Sequence, residues 1–318
     1  MILPGKNDLL EAADLVYQHM QPSAQLHWPL LSERCGCEVW VKHENHNPTG
    51  AFKVRGGLVY MDRLRRREPG IAAVVSATRG NHGQSIAFAA RRFGMNAVIV
   101  VPEGNNPEKN RAMRALGAEL IVHGADFDEA VPHAEELARE RGLHRIPSFH
   151  RDLVEGVASY SLELFGAQGE LDRVYVPIGL GSGICGMICA RNALGLATQI
   201  VGVVSRSADC YARSLAEGKC VATRSADTLA DGMAVRVPSA EALALMRGNL
   251  ERVVAVDDED ILDAMAYYFS DTHNVAEGAG AAPLAALLTE RELNAGKKVG
   301  LVLSGGNVDR RLYQKALS

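Results

Sequence analysis

The sequence predicts an α/β protein in which mostly parallel sheets are flanked by helices. Short runs rich in β-branched residues alternate with longer amphipathic stretches through most of the 318 residues, and this alternation is typical of βαβ units. Predicted strands cover residues 71–77, 97–101, 119–122, 173–178, 199–204, 253–256 and 298–303. Because these runs are almost continuously apolar, we expect their strands to be buried on both faces.

Helix signals lie between these strands. Helices are predicted over residues 85–92, 107–116, 126–140 and 258–270. Gly117 directly follows the second of these segments and Gly142 follows the third after one residue, and each glycine is expected to end its helix, whereas acidic residues begin the fourth. No internal repeat or long linker divides the chain, so we expect any second lobe to be an insertion.

Composition and charge favour a small-molecule partner. Lys and Arg total 34 against 38 Asp and Glu, so there is no electrostatic reason to expect nucleic acid or a membrane surface as partner. The first residues have no apolar stretch behind a basic one, and no later run is apolar for the thickness of a bilayer. We therefore expect a cytoplasmic protein, and its six cysteines are expected to be reduced.

Lys53 lies in a chemically distinctive segment. It follows a Pro-Thr-Gly turn at the expected start of a helix, directly behind Phe52. A helix dipole and an apolar environment favour the neutral form of lysine, and the neutral amine is the form that adds to a carbonyl group. Taken alone, the pattern also fits a solvated lysine after a turn, because lysine side chains are usually exposed.

Residues 48–57, PTGAFKVRGG, resemble the cofactor-lysine motif of the serine/threonine dehydratase family, the fold-type II pyridoxal phosphate enzymes. The resemblance implies a two-lobed fold similar to the tryptophan synthase β-subunit, with pyridoxal 5'-phosphate as the cofactor. It also implies that Lys53 carries the cofactor covalently and later moves the α-proton of the substrate. By the same resemblance, Phe52 packs near the cofactor ring.

A second polar turn, TRGNHGQ at residues 78–84, leads into a predicted helix. Free backbone N–H groups at a helix start favour an anion, although an ordinary capped turn fits the same pattern. The turn resembles the family's Ser-x-Gly-Asn-His loop, which holds the substrate carboxylate and whose asparagine contacts the phenolic oxygen of the cofactor. The substrate-binding residues predicted here are Thr78, Arg79, Gly80, Asn81 and His82.

Arg79 departs from the family pattern, which has a small residue at this position. In racemases of the family that residue is a serine, which exchanges a proton on the second face of the substrate. A guanidinium stays protonated and does not readily act as this base, so racemisation is disfavoured. Arg79 is instead predicted to select the substrate side chain, either by pairing with a carboxylate or by shaping the pocket.

A glycine-rich turn, GLGSGICG at residues 179–186, follows a predicted strand. Small residues let backbone N–H groups approach a phosphate, and the dipole of the following helix favours its charge. The spacing also fits a nicotinamide dinucleotide site, but the next strand ends without the acid that binds a ribose hydroxyl. The turn resembles the family's phosphate-binding glycines, which assigns the cofactor phosphate to Gly179, Leu180, Gly181, Ser182 and Gly183.

The last predicted strand ends in SGGNVD at residues 304–309, which resembles the family's final cofactor motif. Ser304 is then expected to face the pyridine nitrogen, where a hydroxyl does not hold the ring protonated and so suits β-elimination. Glu277 is predicted to lie near the ring, although a helix dipole alone also explains an acid at this point. No metal site is predicted, because Asp209 lacks the upstream glutamate with which related proteins bind a divalent cation.

The resemblance covers almost the whole chain and predicts two domains. Residues 1–65 and 150–318 are expected to form a large cofactor-binding domain. Residues 70–148 are expected to form a small inserted domain that contributes the substrate-carboxylate loop. The family also suggests a homodimer.

The predicted function is the pyridoxal phosphate-dependent β-elimination of L-threonine or L-serine to a 2-oxo acid and ammonia, in amino-acid catabolism. The alternative substrates are β-phenylserine and 3-hydroxyaspartate, which would fit a pocket altered at Arg79 and Ser159. Ser159 lies in residues 155–160, a segment that departs from the family's Gly-Gln-Gly-Thr pattern. Other enzyme classes kept open are an amino-acid racemase, a β-replacement synthase and a nicotinamide-dependent oxidoreductase. A cofactor-binding protein without catalysis is the remaining alternative.

Overall fold

The computed structural model describes residues 4–318, with the exception of the side chain of Asp128. The strands are β1 (Gln25–His27), β2 (Glu38–His43), β3 (Ala73–Ala77), β4 (Asn96–Val101), β5 (Glu119–Val122), β6 (His144–Arg145), β7 (Arg173–Pro177), β8 (Gln199–Ser205), β9 (Arg252–Val256) and β10 (Lys298–Leu303). All of the predicted strands are among them, with ends that differ from the prediction by at most two residues.

The strands form two sheets. The larger sheet has the order β1-β2-β10-β7-β8-β9, and its neighbouring strands are parallel except for the antiparallel pair β1 and β2. The smaller sheet has the order β5-β4-β3-β6 and is parallel throughout. The predicted α/β fold with mostly parallel sheets is therefore confirmed.

Helices cover both sheets. They are α1 (Lys6–Tyr17), α2 (Pro29–Cys35), α3 (Lys53–Arg67), α4 (Asn81–Arg92), α5 (Pro107–Ala115), α6 (Phe127–Arg141), α7 (Arg151–Gln168), α8 (Ser182–Ala193), α9 (Cys210–Glu217), α10 (Ala240–Met246), α11 (Asp258–Thr272), α12 (Gly278–Thr289) and α13 (Arg310–Ala316). Local chemistry sets several ends. The Asn106 side chain accepts from backbone N–H groups in the first turn of α5, and Gly142 ends α6 in the left-handed conformation at φ 64°.

Some elements differ from the sequence prediction. The helix expected over residues 85–92 begins four residues earlier, at Asn81, because the polar turn before it is shorter than expected. Strands β1 and β6 have only three and two residues, too few to produce a periodic pattern. Strand β2 was also missed, because Lys42 and His43 are buried polar residues in a run that reads as partly exposed.

The smaller sheet shares its core with two helices from earlier in the chain. Residues of α1 and α3 pack in one apolar cluster with β3, β4 and α4, as shown by Val16, Leu58, Val74, Ile86 and Ile99. The strands of this sheet lie between residues 73 and 145, inside the segment predicted as an inserted domain. Since α1 and α3 belong by prediction to the other domain, the boundary between the two stays a prediction.

The sheets bring three strand ends together. Strands β3, β7 and β10 end at Ala77, Pro177 and Leu303, and the residues that follow each end line one cleft. Ligands of open α/β sheets bind at the carboxyl ends of the strands, so this cleft is where a site is expected. Within residues 4–318, none of the helices has the length and apolar character needed to cross a lipid bilayer.

Candidate active site

The cleft at these strand ends has a volume of about 910 Å³, part of it open to solvent. Its lining includes every site residue that the sequence predicted. These residues are Phe52, Lys53, Thr78, Arg79, Gly80, Asn81, His82, Gly179, Leu180, Gly181, Ser182, Gly183, Glu277 and Ser304. Segments that lie far apart in the sequence are therefore brought into one site.

Lys53 is the first residue of α3 and lies inside the cleft. Its Nζ donates to Ser182 Oγ at 3.0 Å and lies 5.0 Å from the ring centroid of Phe52. Burial lowers the pKa of Lys53 from 10.5 to about 8, because the charged ammonium loses solvation. The amine is therefore much more often neutral near pH 8 than a solvated lysine is.

The glycine-rich turn forms a narrow cradle beside this amine. A side chain at Gly179 would overlap the carbonyl oxygen of Gly232, and Gly181 has a positive φ of 111°. Helix α8 begins at Ser182 without a side-chain cap, so the N–H groups of its first turn point out of the helix without an intrahelical acceptor. Such a helix start next to small residues suits an anion.

The turn between β3 and α4 is held by a single hydroxyl. Thr78 Oγ1 accepts from the backbone N–H groups of Gly80 and Gly83, at 3.0 and 3.2 Å. The side chain of Thr78 is 4% exposed, whereas that of Arg79 is exposed. Arg79 has no hydrogen-bond or ion-pair partner among the residues that the structure describes.

Asn81 and Glu277 belong to a polar network at one wall of the cleft. Asn81 Nδ2 donates to Glu277 Oε1 at 2.6 Å, and Asn81 Oδ1 accepts from Asn307 Nδ2 at 2.9 Å. Lys109 Nζ donates to Asp231 Oδ2 at 2.6 Å and to Glu277 Oε2 at 3.2 Å. Burial raises the pKa of Glu277, despite the positive charge of Lys109 beside it.

Two further predicted residues have polar atoms without a protein partner. Nε2 of His82 is buried and has no hydrogen-bond partner in the described part of the chain. Burial, together with the charge of Lys53, lowers the pKa of His82 to about 3, so its ring is neutral. Ser304 is 3% exposed, and its hydroxyl has no hydrogen-bond partner within the described residues. Its backbone carbonyl oxygen, by contrast, accepts from the N–H of Phe52 at 3.0 Å.

Comparison with protein families identifies this arrangement. Residues 16–305 match the model of a family described as pyridoxal-phosphate dependent enzyme. The chain belongs to this family. The predicted family and cofactor are thereby confirmed.

Three relatives of this pyridoxal phosphate-dependent enzyme illustrate the likeness. An L-threonine ammonia-lyase of Geobacter sulfurreducens is 36% identical over 94% of this chain and 74% of its own length. An L-threo-3-hydroxyaspartate ammonia-lyase of Saccharomyces cerevisiae is 30% identical over 100% of this chain and 98% of its own. The crystal structure of a pyridoxal 5'-phosphate-dependent aspartate racemase superposes with a TM-score of 0.91, at 29% identity over 96% of this chain and 97% of that chain.

The residues in the cleft fit pyridoxal phosphate. An amine of lowered pKa, Lys53, suits an aldehyde, and the cradle at Gly179 and Gly181 with the uncapped start of α8 suits a phosphate. The Ser304 hydroxyl lines the same cleft and has no hydrogen-bond partner within the described residues. One cavity thus contains residues that suit the aldehyde of the cofactor and residues that suit its phosphate.

Sequence reasoning missed several residues of the cleft in this enzyme. Lys109, Asp231 and Ser148 line it, and Asn307 contacts Asn81 from behind. No local signal marks Lys109, which has the sequence pattern of a surface lysine on an amphipathic helix but is 4% exposed. Asn307 was within reach of sequence analysis, because it lies three residues after Ser304 in a motif that had been recognised.

Ser159 corrects one expectation about the pocket. The sequence suggested that it alters the substrate pocket, but it lies on the face of α7 that packs against α3. Its hydroxyl accepts from Arg55 Nη1 at 2.9 Å and donates to the Gly156 carbonyl oxygen at 2.7 Å. Ser159 is fully buried there, so it supports α3 and does not contact the cleft. Within residues 4–318, no cluster of three His, Cys, Asp or Glu side chains is arranged to hold a metal ion.

Proposed function

We propose that this enzyme is an ammonia-lyase that removes water and then ammonia from a β-hydroxy-α-amino acid, giving a 2-oxo acid. The observation that carries the proposal is the position of Lys53, whose amine of lowered pKa lies between a phosphate-sized cradle and the turn of residues 78–83. The curated relatives named above are both ammonia-lyases of hydroxy amino acids, which supports the same reaction type.

Lys53 is proposed to have two roles. Its Nζ would hold the cofactor at the aldehyde, and its amine would remove the proton from the substrate Cα and hold it. Ser182 Oγ accepts from Nζ at 3.0 Å and thereby orients the amine. When bound, pyridoxal phosphate supplies an electron sink for the bond broken at Cα.

The turn of residues 78–83 is proposed to hold the substrate carboxylate. Helix α4 begins at Asn81 with Gly80 as its N-cap. The N–H of Gly83 donates to Thr78 Oγ1, whereas the N–H groups of Asn81 and His82 have no acceptor within the helix and are free to bind an anion. Thr78 fixes the turn through its two accepted hydrogen bonds. Neutral His82 adds a polar atom without adding a charge.

Residues 179–183 are proposed to hold the cofactor phosphate, and Phe52, Asn81, Glu277 and Ser304 to surround its ring. All of them line the cleft around Lys53. The Ser304 hydroxyl is a neutral group, so it does not force protonation of a pyridine nitrogen beside it. This choice suits elimination better than reactions that need a stronger electron sink.

Amino-acid racemisation is the second candidate, because an aspartate racemase has the same fold at 29% identity. A racemase needs a second group that exchanges a proton on the face of the substrate opposite the lysine. Arg79 lies in the turn that is proposed to bind the substrate, and a guanidinium, which only donates hydrogen bonds, does not readily exchange a proton. We therefore rank racemisation below elimination.

The test uses the purified holoenzyme with L-threonine, L-serine, L-threo-3-hydroxyaspartate and β-phenylserine as separate substrates. We expect 2-oxo acid and ammonia in equal amounts from at least one of them, together with a visible absorbance band that borohydride removes. Lys53→Ala should lose both the band and the product, whereas Lys315→Ala, at an exposed lysine of α13, should keep both. Inversion of chirality without 2-oxo acid would instead establish a racemase.

Assembly, location and domain division are proposed with this function. We infer a homodimer in the cytoplasm that acts in amino-acid catabolism, with the domains and the absence of a metal site as the sequence predicts. The position of the smaller sheet within residues 73–145 supports the inserted domain. Light scattering of the holoenzyme tests the dimer.

A further inference from the structure

Arg79 is the one basic side chain lining the described cleft without a protein partner. Lys109 is neutralised by Asp231 and Glu277, with which it forms ion pairs of 2.6 and 3.2 Å. Lys53 donates to Ser182 and is proposed to bind the cofactor. Arg79, by contrast, forms no ion pair with Asp231 or Glu277 and remains available for a ligand.

The backbone of Arg79 is fixed although its side chain is free. Arg79 lies between Thr78 and Gly80, and the Thr78 hydroxyl accepts from the backbone N–H groups of Gly80 and Gly83, which follow Arg79 in the chain. Strand β3, which ends directly before this turn, is an inner strand of the smaller sheet. A backbone held by hydrogen bonds, together with an exposed and unpaired guanidinium, suits recognition of a ligand.

The charges around Arg79 leave its own charge without compensation. Arg79 lines both the cleft and an adjoining hollow. The other charged side chains described around this hollow are Arg224, Arg236, Asp126 and Asp227, which balance one another, so the excess of one positive charge is that of Arg79. Asp126 already accepts from Arg236 at 2.8 Å, so it does not neutralise Arg79.

The chemistry of a guanidinium decides among the candidate substrates. Its planar donors match a carboxylate with two parallel hydrogen bonds. The methyl group of threonine, the hydroxymethyl group of serine and the ring of β-phenylserine offer no such partner. Among these candidates, only a β-hydroxy amino acid with an anionic side chain, such as 3-hydroxyaspartate, offers Arg79 a carboxylate partner.

Two of the proteins compared above are named for dicarboxylic amino acids. One relative, matched over 98% of its own length, is named an L-threo-3-hydroxyaspartate ammonia-lyase. The racemase of the same fold is named for aspartate. Both names refer to four-carbon dicarboxylic amino acids.

We propose that the substrate of this enzyme is a dicarboxylic β-hydroxy amino acid of the 3-hydroxyaspartate type, and that Arg79 binds its side-chain carboxylate. The inference rests on the proposed lyase function. The Cα–H and Cβ–O bonds break, water leaves, and the released enamine takes up water to give a four-carbon 2-oxo dicarboxylic acid and one ammonia. The two carboxylates keep their charges throughout. The guanidinium of Arg79 can therefore bind the side-chain carboxylate, and the backbone N–H groups of the turn the α-carboxylate, in both substrate and product.

The experiment compares kcat/KM for L-threo-3-hydroxyaspartate and L-serine in the wild-type holoenzyme, Arg79→Gln and Arg224→Gln. The wild type should prefer the dicarboxylic substrate. Arg79→Gln should lower the ratio of the two kcat/KM values about 100-fold, because a hydrogen-bonded charge pair is lost. Arg224→Gln, a matched arginine of the same hollow, should change that ratio less than about threefold, because exposed charges separated by solvent interact weakly.

A binding measurement keeps the inference separate from catalysis. Calorimetry with succinate and butyrate, which differ by one carboxylate, should show tighter binding of succinate, and Arg79→Gln should remove the difference. A wild type that prefers L-serine, an unchanged ratio in Arg79→Gln, or equal losses in both variants would overturn the role of Arg79 and leave the lyase function intact. Absence of product from every hydroxy amino acid would overturn the proposed function instead, and the succinate measurement would then still decide whether Arg79 binds a second carboxylate.

Discussion

The chemistry of Lys53 depends on its burial. An ammonium placed inside the cleft loses hydration, and no carboxylate forms an ion pair with it among the described residues, so the pKa falls to about 8. The amine must be neutral to add to an aldehyde. The apoprotein should therefore bind pyridoxal phosphate faster as the pH rises, and the rate should level off above about pH 8.

This prediction is checked by stopped-flow absorbance after mixing apoprotein with pyridoxal phosphate between pH 6.5 and 10.5. A small lysine derivative in the same buffers controls for titration of the cofactor, and its rate should continue to rise above pH 10, following the ordinary lysine pKa of about 10.4. If the rate for the protein also rose through pH 10, Lys53 would be as well solvated as the free amine, and the effect of burial would be wrong.

Individual residues show where sequence reasoning succeeds. Lys53, Asn81 and Ser304 lie in contiguous motifs whose neighbours constrain the backbone, so their place in the cleft followed from local patterns. Lys109 and Asp231 could not be found in this way. They are 122 positions apart, and only the folded chain shows that one neutralises the other.

At the scale of elements, α3 is held in place by close packing against α7. A side chain at Gly156 would overlap the carbonyl oxygen of Arg55, and one at Gly56 would lie 2.7 Å from the carbonyl oxygen of Leu153. The two helices approach closely because each has a glycine at the contact. Lys53 begins α3, so this contact also sets the position of the reactive amine.

Gly156→Ala should therefore destabilise the protein by about 1–3 kcal/mol, because overpacking forces the two helices apart. Gly166→Ala on the same helix is the matched control, since nothing lies within 4 Å of a side chain there. This control should stabilise the protein by about 0.5–1 kcal/mol, because alanine is the better helix former. Urea unfolding measures both values, and a Gly156→Ala variant as stable as the control would contradict the close contact.

The same scale shows why the fold was largely predictable. Five inner strands, β3, β4, β7, β8 and β10, are almost fully buried apolar runs, so their pattern alone identifies them, whereas the inner strand β2 contains buried polar residues. Strands β1 and β6 depend on pairing with neighbours that are distant in the sequence. The order of strands in each sheet is likewise a property of the folded chain that periodicity does not contain.

For the whole molecule, Lys109 connects the two sheets. It lies in α5, which follows β4 of the smaller sheet, and its partner Glu277 directly precedes α12, which packs against the larger sheet. Its other partner, Asp231, lies in a short 3-10 helix beside α12. The ion pairs therefore link the two sheets at one wall of the cleft and orient Glu277 toward Asn81.

Lys109→Met should destabilise the holoenzyme by about 3–5 kcal/mol at pH 8, because two carboxylates are left without their cation. Burial already raises the pKa of Glu277, and loss of Lys109 should raise it further. A carboxyl whose pKa is higher in the folded than in the unfolded state costs stability above that pKa, and the cost disappears as the pH falls below the unfolded value. The destabilisation should thus be smaller at pH 5.5 than at pH 8 by about 1 kcal/mol or more.

Two further variants separate this role from the loss of any ion pair. Lys109→Arg keeps the charge and should recover most of the stability, together with most of the kcat lost in Lys109→Met. Arg34→Met removes a bidentate pair with Asp271 outside the cleft, and its smaller cost should leave kcat unchanged. A Lys109→Met variant with full kcat, or with the same loss of stability at both pH values, would show that Lys109 does not position Glu277, because a carboxylate left without its cation must respond to pH.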